Sequence, residues 1–291
     1  MIGAGGFIGG AVSRCLGQAG WRVVGFSRRP AVAAGPVAEW RPAGELALGG
    51  LAAVVNLAGE PIDRRWTAAR REVLVESRVG VTRRVVEALA ALPAGQRPRV
   101  LVNASAVGIY GDRGDEVLDE AAPAAGGFLP RLCIDWEGAA CAAEDLGVRV
   151  VRVRIGVVLG RGGGAFERMR RVFALGLGGR FGNGRQWLPW VHLDDLARIV
   201  AAAAGDERWR GALNATAPNP ERNADFAARL AAALGRPALL PVPAAALRLG
   251  LGDLGAMLLE SQRAVPAELQ RGGFGFRFGT LGEALAELTG G

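Results

Sequence analysis

The chain has 291 residues, half of them hydrophobic, and a formal net charge of +7. This length suits one large α/β domain or a domain with an appendage, and no apolar run approaches the about 18 residues a spanning helix needs. All 35 basic residues are arginines. They are scattered among acids, and the short groups Arg64-Arg65 and Arg168, Arg170, Arg171 read as solvated faces, which argues against a nucleic-acid partner. No basic segment followed by an apolar stretch marks a secretory leader. Cys15, Cys133 and Cys141 lack Cys-x-x-Cys spacing and read as buried or incidental thiols in a reducing cytoplasm, with no metal site.

Short apolar runs alternate with longer helical stretches, the pattern of a parallel sheet with crossover helices. Residues 7–19 read as a helix stopped by Gly20, and residues 22–26 as a strand. Residues 51–57 form a second buried strand that ends in Ala58-Gly59. Residues 70–92 have helical spacing through Val75, Val79, Val86 and Leu89. Residues 100–103 are a strand followed by a loop over 104–111. A helix over residues 132–146 leads to a strand over 148–153, closed by Arg154-Ile155-Gly156. Glycine is dense from 160 to 184, which predicts mobile connections around a helix at about 165–175. Asp194-Asp195 are read as the cap of a helix through Ala204, and helical segments over 224–234 and 244–251 follow. The expected fold is a Rossmann-type, doubly wound parallel sheet over residues 1–235.

Gly3-x-x-Gly6-Phe7-Ile8-Gly9 has the spacing of a dinucleotide-binding loop. The first glycine permits a tight turn, the second a close approach to pyrophosphate, and the third close helix packing. The helix that follows adds N–H groups and a partial positive charge. Only Met1 and Ile2 precede this loop, fewer than the about five residues of a typical strand. Either the numbered chain begins inside the gene, or another segment fills that place in the sheet. At the end of the next strand an NAD site carries an acid, whereas an NADP site carries cations. Ser27-Arg28-Arg29 offers no acid, and Arg28 has the planar fork that pairs with a 2′-phosphate. The predicted cofactor is NADP(H).

Several further segments carry a resemblance: Asn56-Leu57-Ala58-Gly59-Glu60, Glu76-Ser77-Arg78, Ser105-Ala106-Val107-Gly108-Ile109-Tyr110-Gly111, Asp135-Trp136-Glu137, Gly156-Val157-Val158-Leu159-Gly160 and Gln186-Trp187-Leu188-Pro189-Trp190-Val191-His192. With the glycine loop, they resemble the epimerase-like branch of the atypical, extended short-chain dehydrogenases, often labelled NAD-dependent epimerase/dehydratase or sugar-nucleotide epimerase-like. The tail over 236–291, with Phe274-Gly275-Phe276-Arg277-Phe278, resembles that branch's small, mostly helical C-terminal domain of unknown function. The resemblance implies that Ser27 and Arg28 hold the adenosine phosphate and that Leu57, Ala58 and Gly59 pass beside the cofactor. It places Arg78 on its phosphate side and Val158 at its nicotinamide end. Ser105 takes the place of the catalytic serine.

Most such enzymes use a Tyr-x-x-x-Lys pair, in which the lysine lowers the tyrosine's pKa. This chain has no lysine and a single tyrosine, Tyr110. The matching helix offers Cys133 with Glu137, or Leu132 with Trp136, at the required spacing. Cys133 reads as a small buried hydrophobe. Tyr110 is the remaining candidate acid, with Arg154 or Arg185 as a stabiliser of its phenolate; the competing reading is that it shapes the pocket. His192 reads as a hydrogen-bonded structural residue. Gln186, Trp187 and Trp190 are candidate lining for a small-molecule substrate. The expected activity is that of an NADP(H)-dependent oxidoreductase or epimerase-like enzyme, the alternative being a non-catalytic NADP(H)-sensing protein.

Overall fold

Valine-rich runs supply the strands, and the computed structural model describes residues 1–28, 35–238 and 240–290. Strands β1 (Val24–Ser27), β2 (Glu39–Pro42), β3 (Ala53–Asn56) and β4 (Val100–Ala106) precede the short β5 (Val117–Leu118). They are followed by β6 (Arg149–Ile155), β7 (Val157–Leu159), β8 (Trp187–Leu188), β9 (Trp190–His192), β10 (Gly211–Ala215), β11 (Glu221–Arg222) and β12 (Arg263–Ala264). The helices are α1 (Phe7–Gln18), α2 (Ala68–Val75), α3 (Val81–Ala90), α4 (Phe128–Cys141), α5 (Gly164–Ala174) and α6 (Leu193–Gly205). The C-terminal part adds α7 (Asn223–Ala233), α8 (Ala244–Leu251), α9 (Asp253–Met257), α10 (Ala267–Arg271) and α11 (Leu281–Thr289).

The main sheet is parallel, with β1 paired to β2 on one side and the order β3-β4-β6-β10 on the other. Ile2 joins the two parts, bridging Phe26 and Asn56. Its N–H donates to Val55 O at 2.9 Å, and its carbonyl accepts from Leu57 N at 3.0 Å. Met1–Ile2 therefore hold the central place ahead of the glycine loop. Successive side chains of a strand face opposite sides, and β4 follows that rule. Val100 and Val102 join Val12, Leu16, Leu196 and Val200 of α1 and α6, while Leu101 joins Val85, Leu89 and Ala140 of α3 and α4. Both faces are covered, which is why valine and leucine dominate the central strands on both faces.

Several elements differ from expectation. β4 continues to Ala106, and α4 begins at Phe128, four residues before Leu132. Pro130 lies in its first turn, where a missing N–H breaks no helical hydrogen bond. The glycine-dense stretch is closely packed at several points. A Cβ on Gly160, Gly163 or Gly164 would lie 2.9, 2.7 or 2.8 Å from the Phe7 ring, and one on Gly179 would lie 2.1 Å from Leu240 O.

The cap of α6 is His192, whose Nδ1 accepts from Asp194 N at 3.1 Å. Nε2 then carries the ring proton and faces Glu287 Oε2 of α11 at 3.1 Å. Asp195 turns inward, is fully buried, and accepts from Arg277 N at 2.9 Å, Phe278 N at 2.9 Å and Arg198 Nη1 at 2.8 Å. Leu281, Leu285 and Leu288 of α11 pack with Phe226 and Leu230 of α7, and β12 pairs with β5. One buried carboxylate thus ties the C-terminal segment to the sheet domain. Asp195→Ala is expected to lower stability by about 3 kcal/mol or more, because two backbone N–H groups and a cation lose a fully buried acceptor. Urea unfolding at unchanged m measures this, and a loss below about 1 kcal/mol would contradict the tie.

Candidate active site

The glycine loop closes on itself by contact. Gly3 has φ +81°, and a Cβ there would lie 2.8 Å from Leu57 O; a Cβ on Gly9 would lie 2.0 Å from Gly3 O. Gly6 N donates to Gly3 O at 3.0 Å. Gly6 caps α1 without any side-chain hydrogen bond, and no acid occupies the first turn. The first-turn N–H groups, which no helical carbonyl can satisfy, are left for an anion. Phe7 and Ile8 are half-buried just inside that turn.

Ser27 ends β1. Arg28 next to it is 89% exposed along its side chain, and its Nη2 stands 3.6 Å from Glu60 Oε1. Arg70 approaches the other oxygen of Glu60 at 3.6 Å. Glu60, Arg64, Arg70 and Arg168 line a cavity of about 320 Å³, across which Arg168 of α5 pairs with Asp63. Arg29 lies outside the described residues.

The Leu57–Gly59 turn rests on a buried amide. Asn56 Oδ1 accepts from Ala58 N at 3.2 Å, while its Nδ2 donates to Asn103 Oδ1 at 2.7 Å and Thr82 Oγ1 at 3.0 Å. Trp136 Nε1 also donates to Thr82 Oγ1, at 3.0 Å. Between α2 and α3 the helix widens to a π turn over Glu76–Gly80, a distortion frequent at functional sites. It carries Arg78, whose guanidinium lies 5.4 Å from the Trp136 ring and donates to Glu60 O at 2.9 Å. A Cβ on Gly59 would lie 3.4 Å from that guanidinium. Among the described residues no carboxylate pairs with Arg78, and burial lowers its pKa.

The carboxyl end of β4 brings Ser105 to α4. Ser105 Oγ donates to Glu137 Oε1 at 2.7 Å. The same carboxylate accepts from Arg154 Nε at 2.8 Å, Arg154 Nη2 at 3.0 Å and Arg152 Nη1 at 3.3 Å. Ser105, Glu137 and Arg154 are all buried. Cys133 lies one turn before Glu137, with its thiol against the backbone of Ala106. Of the two spacings open in the sequence, Cys133 with Glu137 faces the strand, whereas Leu132 and Trp136 join an apolar cluster.

Tyr110 is fully buried. Its hydroxyl lies 2.7 Å from Asn214 Oδ1 and 3.0 Å from Asp119 O, and accepts from Arg154 Nη1 at 2.8 Å. Of the two arginines considered for it, Arg154 is the one in contact. Burial nevertheless raises the phenol's pKa, outweighing the pull of Arg154. Among the described residues Tyr110 is linked to Ser105 through Arg154 and Glu137.

The lining candidates separate. Val158 is half-buried on β7, opposite Val191. Trp187 lies between two guanidiniums, Arg222 at 4.5 Å and Arg263 at 4.6 Å, and its indole donates to Asp115 Oδ1 at 2.8 Å. Gln186 is buried and donates to Phe181 O at 3.1 Å. Trp190 is fully buried and donates to Asn219 O at 3.1 Å, packed in the interior. The apolar cluster at the strand ends comprises Leu57, Ala104 and Ile155 with Trp66, Phe128, Leu254 and Met257. Sequence reading passed over Arg152, Asn214 and Phe128.

Burial, reinforced by Glu137, pushes the Cys133 thiol up from about 9 to about 12. Between those values the unfolded chain has released a proton that the folded chain keeps, so stability falls as pH rises, by up to about 1.4 kcal/mol per unit. Cys133→Ala is expected to flatten the decline from pH 9 upward in urea titrations. An unchanged slope would contradict a neutral, enclosed thiol.

Over residues 1–211 the sequence matches the profile described as "NAD dependent epimerase/dehydratase family", and over 242–288 that of "Domain of unknown function (DUF1731)". "Epimerase family protein Mb2239" of Mycobacterium bovis is 42% identical, with 99% of this chain and 96% of that protein aligned. The crystal structure of human epimerase family protein SDR39U1 (isoform 2) with NADPH superposes with a TM-score of 0.91 at 38% identity, covering 99% of this chain and 98% of that one. A nucleoside-diphosphate sugar epimerase from Corynebacterium glutamicum superposes at 0.80 with 34% identity, covering 99% of this chain and 57% of that one.

Proposed function

Because the chain belongs to the NAD-dependent epimerase/dehydratase family, we propose that it is an NADP(H)-dependent oxidoreductase or epimerase-like enzyme acting on a small carbonyl or alcohol, with Ser105 as the group that orients the reacting oxygen. The observation that carries this reading is the uncapped start of α1 behind a glycine loop too close for any side chain, with the exposed cation Arg28 at the end of β1. The human relative crystallised with NADPH supports the same cofactor. Bound there, the nicotinamide supplies hydride transfer.

The residues fit such a cofactor from end to end. The first-turn N–H groups of α1, including those of Phe7 and Ile8, take the pyrophosphate. Ser27 and Arg28 take the 2′-phosphate, for which Arg28 exchanges its loose contact with Glu60. Leu57, Ala58 and Gly59 line the cofactor with backbone. Arg78, a largely buried cation with no carboxylate partner among the described residues, balances phosphate charge. Val158 bounds the nicotinamide end. No tyrosine–lysine pair serves this site, and Tyr110 acts through the scaffold.

Calorimetry tests the cofactor. Arg28→Ala is expected to weaken NADPH about tenfold or more and leave NADH unchanged, the loss of a charged hydrogen bond. Equal losses for both would refute the phosphate assignment. Gly9→Ala, which drives a methyl into Gly3 O, is expected to remove binding of both. For the reaction, NADPH oxidation is followed against aldehydes, ketones and nucleotide sugars. Ser105→Ala is expected to slow any turnover about 100-fold, and full activity would exclude Ser105 from the site.

A further inference from the structure

A hydroxyl has one hydrogen and two lone pairs, whereas an ionised carboxylate only accepts. Glu137 lies between Arg152 and Arg154, with three guanidinium N–H contacts of 2.8 to 3.3 Å. Its remaining contact is the Ser105 hydroxyl at 2.7 Å, so the single hydrogen of Ser105 is committed to Glu137. What Ser105 can offer a ligand is lone pairs. We infer that Glu137 is a positioning residue that fixes Ser105 as a hydrogen-bond acceptor, so that the site recognises a hydroxyl donor, an alcohol, in preference to the matching carbonyl.

This inference rests on the proposal that Ser105 orients the substrate oxygen, and adds which oxidation state the resting site favours. A carbonyl oxygen needs a donor, and Ser105 becomes one only by leaving a charge-assisted hydrogen bond, stronger than the neutral one it would gain. The surroundings narrow the ligand further. Ser105 is buried, and at the carboxyl ends of the neighbouring strands Leu57 and Ile155 share an apolar cluster with Ala104, Trp66 and Phe128. An apolar alcohol suits those surroundings.

Cyclohexanol and cyclohexanone are matched probes that differ at the oxygen. Their binding is measured by saturation-transfer NMR titration of the whole protein, without cofactor and with saturating NADP⁺. The wild type is expected to hold cyclohexanol about threefold or more tightly than the ketone. In Glu137→Gln the amide oxygen takes the Oε2 place, where two guanidinium N–H groups point. The NH₂ takes the Oε1 place, where it faces Ser105 and one N–H of Arg154 and frees the hydroxyl hydrogen. The preference is then expected to vanish or reverse. Ser105→Ala is expected to abolish it, and this variant decides the matter if Glu137→Gln does not fold. A wild type that prefers the ketone or binds neither probe, or a preference unchanged in either folded variant, would overturn the inference. Failure of NADP⁺ to bind in calorimetry speaks instead against the cofactor reading, since the cofactor-free titration still reports the polarity.

Discussion

The buried carboxylate of Glu137 is the constraint on which the middle of this molecule depends. A charge removed from water is tolerated only when partners neutralise it and fill its hydrogen-bonding capacity. Meeting that condition takes Arg152 and Arg154 of β6, together with Ser105 of β4. Arg154 also donates to Tyr110, whose hydroxyl contacts Asn214 of β10. One acid on α4 thereby fixes three neighbouring strands and the loop after β4. Burial works against the charge of Arg154, but the hydrogen bonds and charge of Glu137, with Tyr110, raise its pKa further. The network continues outward, for Glu120 accepts from Asn214 N at 2.9 Å and from Glu268 N at 3.2 Å, reaching the C-terminal segment.

Such a network settles what its members can do. Tyr110 is held as a phenol by burial, and its oxygen contacts Arg154, Asn214 and Asp119, so it braces Arg154. Cys133 is held as a thiol by the same desolvation, increased by the charge of Glu137. Ser105 is the member at a strand end, where open α/β sheets bind ligands. The sign of the charge on the helix is the unusual element. An acid stands there, and the neighbouring strand supplies the cations that neutralise it.

The fold was legible because its signals are local. The apolar runs of β3, β4 and β6, the glycine loop before α1 and the spacing of α3 each follow from period and turn chemistry. β2 was missed because Glu39-Trp40-Arg41-Pro42 alternates without an apolar run, and β10 because Gly211-Ala212-Leu213-Asn214 lacks β-branched residues. Asp194-Asp195 has the look of a helix cap, but Asp195 is spent on backbone N–H groups more than 80 positions away, which no local rule can see. One usable signal was overlooked. Arg152 and Arg154 share one face of the valine-rich β6, and two cations there require a buried acid. Which acid it was, and that Tyr110 lay inside the same network, needed the tertiary structure.

The glycines after β7 show how composition alone misleads. Dense glycine suggests slack chain, yet Gly160, Gly163 and Gly164 surround the ring of Phe7 so closely that a methyl on any of them would collide with it. Glycine here serves close approach. The consequence concerns the glycine loop, because Phe7 is the first residue of α1 and its backbone belongs to the uncapped first turn. The ring is clasped by the chain that leads into α5, and α5 in turn carries Arg168, paired with Asp63 in the segment beyond Gly59. The glycine loop, α5 and the post-β3 segment therefore form one packed ring of contacts, so a displacement of α5 would be felt at the start of α1.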